Sequence, residues 1–481
     1  MIKDLRRHRL RTVALYGTLV PILILFPIVL WKLDLPFISS TSGSRYRVFE
    51  IFAFCISLTV VVIAATRLRK TASGSFAVNL PTVLFALLAC YFAAQVTEFR
   101  PQSSDWLSYE RAARAIIDGK NPYLETGYLY PPLTALALAS MYQMTVWVSG
   151  LLHIAASSEF AWQGVFYLYQ CLQFFLVIGA IVLCFRFAKT LGAPDTTAAV
   201  LISLLFVFNT PLLRTLHFHQ VNLWLFDLIM LAVLFVNAPV LSGLALAVAT
   251  HVKLYAAIVL LPFMLMKRFG VVLSALIGIA IIVALQTAWG TSTKLWQQYL
   301  DLAAGFPAGT TFRDNGLHSI LYNTLAFVNR IVNVEHDTFA QAVRILTLSA
   351  AISVVLYFGR RYYKRERSFA VRSTTDEAWA AMCRLYGNVF DAIAMVLIIS
   401  PLVWEHHYIL TIPLIIWVIL TQGKQKPWRV GVAAFLICAI PIFDVYPFSY
   451  HRIAGLLLLL SASPPKIPAT PIHDSPFTIL G

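Results

Sequence analysis

One carboxylate, Asp105, stands in Ser103-Ser104-Asp105-Trp106-Leu107-Ser108-Tyr109-Glu110, a polar stretch between long apolar runs. Four further clusters carry groups able to do chemistry: His217-Phe218-His219-Gln220-Val221-Asn222, His251-Val252-Lys253, Arg313-Asp314-Asn315 with His318, and Glu405-His406-His407. A carboxylate can take a proton, and lysine, arginine and imidazole can hold an anion, so the set suits proton transfer beside a charged substrate. The same residues have plainer readings. Asp105 would serve as an N-cap or first-turn carboxylate. His251 and Lys253 read equally as snorkelling interface residues, and Arg111, Arg114 and Lys120 as lipid-headgroup anchors. The His217-x-His219 and His406-His407 pairs could ligate a metal, but CxxC and HExxH spacings are absent, and neither a metal nor a cofactor is expected.

The elements that must position these residues are membrane helices. Of 481 residues, 59% are hydrophobic and only 12% charged, where about 45 to 50% apolar is usual for soluble domains. The net charge of +15 lies in short clusters at the ends of apolar runs rather than in one basic stripe, so it records topology and not a nucleic-acid partner. The six cysteines form no CxxC pair or disulfide framework. The run from Val13 to Trp31 is too long for a cleaved signal peptide, and the N-terminus reads as an anchor.

Spans are expected at about 13–31, 49–65, 80–97, 162–185, 196–214, 221–237, 240–252, 254–266, 270–288, 340–358, 386–403, 407–420 and 430–446. Residues 105–118 form an amphipathic helix, with Trp106, Tyr109, Ala113 and Ile116 on one face. Residues 132–155 read as a pair of short re-entrant or interfacial helices, and 452–463 as too short for a span. The fold class is all-α: a polytopic membrane protein of about 12–14 transmembrane helices with an extracytoplasmic loop helix. Residues 1–79 are a basic segment and hairpin, 80–463 the main transmembrane module with its first outer loop at 98–160, and 464–481 a Pro-rich tail. The positive-inside rule puts Arg67, Arg69, Lys70 and the Arg360–Arg372 tract inside. Asp105 then emerges outside, with seven of the eleven histidines (217, 219, 251, 318, 336, 406, 407). Ionisable groups at membrane depth cost about 2.5 to 3.5 kcal/mol on insertion scales, so their gathering on one side points to one extracytoplasmic site.

Six stretches, in order over about residues 80–421, resemble glycosyltransferase family 87 of the GT-C superfamily. They are Asp105–Tyr109 with Ala112-Ala113, Gly119-Lys120-Asn121-Pro122-Tyr123, Tyr128-Leu129-Tyr130-Pro131-Pro132-Leu133, His219-Gln220-Val221-Asn222, His251-Val252-Lys253 and Ser400–His407. Familiar members are mycobacterial mannosyltransferases acting on phosphatidylinositol mannosides. Three departures stand out: His219 where the family usually has Gly, Glu405 where it has Asp, and Asn315–Ser319 only loosely echoing its Asn-Gln-Ser loop.

The resemblance implies an inverting transfer of a sugar, a mannose-like hexose favoured, from a polyprenyl monophosphate to a glycolipid or glycan hydroxyl on the extracytoplasmic face of the cell membrane. Asp105 would be the general base. Lys253 is the first candidate for the departing phosphate, followed by His406, His407 and Arg313. Gln220 and Asn222 would hold sugar hydroxyls, and Tyr128, Tyr130 and Trp404 would stack on sugar or isoprene. Tyr109, His219, His251, Glu405 and Asn315 complete the expected substrate contacts. The competing class is a transporter or flippase of lipid-linked glycans, which often shows inverted repeats; no repeat is visible here.

Overall fold

The computed structural model describes residues 80–98, 103–124, 126–153, 157–288, 294–305, 309–311, 314–370, 377–422, 427–440 and 446–463. The expected hairpin in 1–79, the tail after Ser463, Arg313 and Arg372 lie outside the described residues. Every described regular element is helical. α1 (Leu80–Glu98) leads to α2 (Ser104–Ile117), the amphipathic helix expected at 105–118. Ser103 caps α2 by accepting the Trp106 amide at 3.2 Å. Gly119, at φ +69°, ends it in a Schellman turn, with Gly119 N–H to Ile116 O at 3.1 Å and Lys120 N–H to Ala115 O at 2.7 Å.

α3 (Pro132–Leu151) corrects the pair of short helices expected over 132–155. No Pro or Gly falls between Leu133 and Ser149, so nothing interrupts the hydrogen-bond ladder, and Pro132 occupies the first turn, where its missing N–H is not needed. α4 (Ser158–Thr190) has 33 residues and is about 50 Å long. The span expected at 196–214 is instead α5 (Asp195–Val207) and α6 (Thr210–His217), bent by 56°. Pro211 cannot donate back across the break, and Asn209 caps the new start by accepting the Leu212 amide at 2.8 Å.

α7 (Asn222–Leu234), α8 (Pro239–Val252), a 3₁₀ segment (Leu254–Val259), α9 (Leu260–Leu265) and α10 (Phe269–Ala288) follow. Between the spans expected at 270–288 and 340–358 lie α11 (Lys294–Gly305) and α12 (Leu317–Val332). Then come α13 (His336–Ala370), α14 (Glu377–Ile399), a 3₁₀ turn (Glu405–Thr411), α15 (Ile412–Gln422), α16 (Pro427–Ala434) with a π turn (Phe435–Ala439), and α17 (His451–Ala462).

Among the described residues, α4, α10, α13 and the Trp379–Ile399 part of α14 are long and apolar enough to cross a membrane, and the bent α5–α6 pair makes a fifth if it is one span. The other expected spans are shorter apolar helices. α7, with 13 residues, is about 20 Å long, less than the roughly 30 Å of a hydrocarbon layer. The chain is an all-α polytopic membrane protein, and rows such as Leu348, Ile352 and Leu356 of α13 or Leu273, Ile277 and Ile281 of α10 remain exposed on the helix bundle, as lipid contact requires.

Two cores are joined by α4. Its second half packs into the large core with α1, α5–α9 and α14–α17. Its first half carries Trp162, Val165, Phe166 and Tyr169 into a smaller aromatic core with Trp106 and Tyr109 of α2, Tyr123, Tyr128 and Tyr299. A second junction is ionic. Arg361 and Arg365, expected as topology-setting surface cations, turn inward onto Asp391 of α14. Arg361 is bidentate at 3.0 Å on both oxygens and Arg365 adds 2.8 Å. Arg361 also donates to Leu460 O and Ser463 O, at 3.1 and 3.2 Å, which holds the end of α17. Gly387 permits this approach, since a Cβ there would meet Arg365 Nε at 2.5 Å.

Candidate active site

α2 delivers Asp105 and Tyr109 one turn apart, and the α6–α7 turn delivers Gln220. That turn is another Schellman end: His219 N–H bonds Leu216 O at 3.1 Å and Gln220 N–H bonds Thr215 O at 2.8 Å, with His219 in the left-handed region at φ +58°. The family resemblance puts Gly at this position, and the positive φ supplies the reason. Gln173 of α4 fixes the Gln220 carbonyl at 3.1 Å, and Tyr169 fixes the His219 carbonyl at 2.6 Å. The Gln220 side-chain oxygen accepts Tyr109 OH at 3.3 Å and Tyr130 OH at 2.8 Å. Its NH₂ group is thereby turned to Asp105, with which it hydrogen-bonds.

Lys253 caps α8 in an extended conformation, φ −147° and ψ 120°, at the change from α to 3₁₀ geometry. This geometry throws its side chain inward, 5% exposed, with Nζ 2.8 Å from His407 Nε2 and 5.1 Å from the Tyr130 ring centre. His407 is oriented from behind: its Nδ1 lies 2.9 Å from Trp404 N and 3.2 Å from Trp404 O. Burial pushes the Asp105 carboxyl above the usual carboxylate range, with the Gln220 hydrogen bond and the Lys253 charge opposing. Burial likewise lowers the Lys253 ammonium to about 7 against the pull of Asp105. One base and one cation thus share a desolvated aromatic enclosure, where each charge acts more strongly than in water.

Asp105, Tyr109, Tyr130, Gln220, Lys253 and His407 come together as the sequence suggests, and the His406 ring is 4.7 Å from that of His407. Ser103, not Asp105, is the N-cap of α2, which leaves the Asp105 carboxylate to Gln220. Other expected contacts are occupied with structure. Glu405 is buried between Arg214 of α6, at 2.5 Å, and Arg452 of α17, at 3.1 Å. The His251 ring turns to Ile279 O of α10 at 3.2 Å. Tyr128 OH donates to Pro131 O and accepts the Ala135 amide. Asn315 lies in a loop stapled to the 401–403 segment: Asn315 N–H bonds Val403 O at 2.7 Å, and Asp314 accepts the Val403 and Gly316 amides at 2.7 and 2.8 Å. Asn222 is fully buried at the start of α7, and its amide finds no hydrogen-bond partner among the described residues.

Sequence reasoning missed Ser103, Arg214 and Arg452. Arg214 carried a signal, an arginine inside an expected span, which is costly unless paired; Arg452 sat in a segment too short to be read.

The family model described as Glycosyltransferase family 87 matches residues 128–382. The chain is 23% identical over 354 residues to the polyprenol-phosphate-mannose-dependent alpha-(1-2)-phosphatidylinositol mannoside mannosyltransferase of Mycolicibacterium smegmatis, covering 68% of this chain and 72% of that protein. It is 25% identical over 320 residues to the polyprenol-phosphate-mannose-dependent alpha-(1-2)-phosphatidylinositol pentamannoside mannosyltransferase of Mycobacterium tuberculosis, covering 64% of this chain and 62% of that protein, less than two thirds of its length.

Proposed function

Because the chain belongs to glycosyltransferase family 87, we propose that it moves a mannose-like hexose from a polyprenyl monophosphate to a hydroxyl of a glycolipid or glycan, with inversion, on the extracytoplasmic face of the cell membrane. The polyprenyl-phosphate donor and the glycolipid class of acceptor are those named for the two mycobacterial relatives. The observation that carries the mechanism is the meeting of a single carboxylate, Asp105, and a buried cation, Lys253, around Gln220, Tyr109 and Tyr130.

A phosphate leaves without a general acid, so one carboxylate suffices, in contrast to the two of a glycosidase. The acceptor oxygen attacks the anomeric carbon as the bond from that carbon to the phosphate oxygen breaks, and the hydroxyl proton passes to Asp105. A positioned base of this kind contributes roughly 10² to 10⁴-fold. Charge grows on the departing phosphate, and Lys253, held by His407, is the group that meets it. Gln220 keeps Asp105 aligned and, through Tyr130, ties the base to the ring beneath Lys253.

The test is to reconstitute the protein in lipid, offer a panel of polyprenyl-phosphate sugars with phosphoinositide mannosides, and determine product mass and anomeric configuration by NMR. Consumption of one donor with inversion supports the reading. Retention of configuration overturns the single-base mechanism, and a donor carried across the bilayer intact establishes the transporter instead.

A further inference from the structure

Several helix ends in this chain solve the same geometric problem. Gly119 and Gly192 end α2 and α4 at φ +69° and +83°, in each case with the paired amide bonds of a Schellman turn. Glycine is the residue for this conformation, because a Cβ is crowded there. Lys267, His153 and Asn333 break the pattern after α9, α3 and α12, at φ +60°, +54° and +53°, but on the exposed surface. His219 breaks it in the interior, at 2% exposure, so its side chain is retained where glycine would be less strained.

That side chain reaches one atom of consequence. His219 Nδ1 lies 3.0 Å from Ser103 Oγ, which also faces Phe218 O at 3.2 Å and accepts the Trp106 amide. A hydroxyl has one proton to donate. With that proton on Phe218 O, the imidazole N–H and the Trp106 N–H fill the oxygen's two acceptor sites, so the hydroxyl's bonds are all satisfied. Burial lowers His219 to about 3, with His217 adding, so the ring is neutral. Phe166 and Trp106 hold it, at 5.1 and 6.1 Å between ring centres. Ser103 lies two residues before Asp105 and His219 one residue before Gln220. The joint therefore connects the two backbones that carry the base and its hydrogen-bond partner.

We propose that Ser103 and His219 are positioning residues: their hydrogen bond sets the register of Asp105 against Gln220, and His219 is kept at a left-handed position for that purpose. This rests on the transferase reading above, with Asp105 as base. Neither residue need touch the substrate. Loosening the joint weakens the Gln220 bond that favours the ionised carboxylate, so the acid limb of the kcat profile moves to higher pH. The charged and titratable groups facing Asp105 from its neighbours, Lys253, Tyr109, Tyr130 and Tyr169, are unchanged by the variants below.

The experiment compares wild type, Ser103→Ala, Ser103→Thr and His219→Gly, with Asp105→Asn as the inactive reference, in lipid with polyprenyl-phosphate mannose as donor. Misplacing a reacting group by about 1 Å can remove roughly 10²-fold. Ser103→Ala should therefore lower kcat by about tenfold or more with donor KM little changed, and Ser103→Thr should restore it. His219→Gly removes the ring while relieving the backbone; with Tm taken on the same sample, kcat per folded enzyme should fall and the acid limb move up. If His219→Gly keeps the wild-type kcat and pH profile, or Thr fails to rescue Ser103→Ala, the proposal is overturned while the transferase reading stands. A wild type that transfers no sugar overturns both.

Discussion

Two buried clusters of charge treat their hydrogen bonds in opposite ways. Around Asp391, Arg361 places all its N–H groups on Asp391, Leu460 O, Ser463 and Tyr357, and Arg365 adds Asp391 and Asn388. Around Asp105 the arrangement is lean: Lys253 makes its short bond to a neutral imidazole, and its carboxylate counterpart acts on it through space. A saturated cluster has no capacity left for a ligand and serves to join helices. A lean one holds charge that a substrate can complete. The Glu405 cluster lies between, since Arg214 and Arg452 share one carboxylate while Arg452 Nε and Nη1 make no hydrogen bond among the described residues. α17 touches both structural clusters, with Arg452 in its first turn and Ser463 as its C-cap.

The comparison breaks if the saturated cluster can be opened without harm. Asp391→Ala leaves two buried guanidinium groups uncompensated, a loss of about 3 to 5 kcal/mol, and should abolish recovery of folded protein in a thermal-stability assay. Glu405→Gln should lower stability by about 2 to 4 kcal/mol by the same argument, read as a fall in Tm. Its effect on turnover should follow the folded fraction, because Glu405 faces arginines and not the enclosure. A kcat loss at full Tm would return Glu405 to the substrate contacts.

Lys253 sharpens the comparison from the lean side. Lys253→Met should leave Tm unchanged or raised, since a buried cation is removed, and lower kcat/KM for the donor by roughly 10 to 10³-fold. The pH profile gives the smallest effect. Transfer requires ionised Asp105, so kcat/KM rises with pH through its raised pKa; it requires charged Lys253, so it falls as pH rises through about 7. Bound donor phosphate stabilises the ammonium, and the basic limb should lie higher in kcat than in kcat/KM. Lys253→Arg, charged at every working pH, should lose that limb.

Much of the candidate site was legible because membrane helices restrict where costly residues can go. Clusters at helix ends, sorted by the cations that set topology, led to Asp105, Gln220, Lys253 and His407 without contact information. The helix over 105–118 followed from the spacing of Trp106, Tyr109, Ala113 and Ile116. What could not be read is where side chains point. Glu405, His406 and His407 are adjacent in sequence, yet in the 3₁₀ turn Glu405 faces two arginines and His407 faces Lys253. Arg361 and Arg365 looked like any basic tract at a helix end, because Asp391, in a different helix, is what draws them inward. Helix lengths were overread for a similar reason: apolar composition continues through Pro211, while the hydrogen-bond ladder does not.

The most direct measurement is single-turnover transfer from polyprenyl-phosphate mannose by Asp105→Asn in lipid, with donor binding and Tm taken on the same sample. The substitution keeps shape and the Gln220 hydrogen bond while removing the base. The predicted result is a rate reduced by about 10² to 10⁴-fold, with donor still bound and Tm equal to or above that of wild type. A wild-type rate would contradict the account, leaving Asp105 only a first-turn carboxylate of α2.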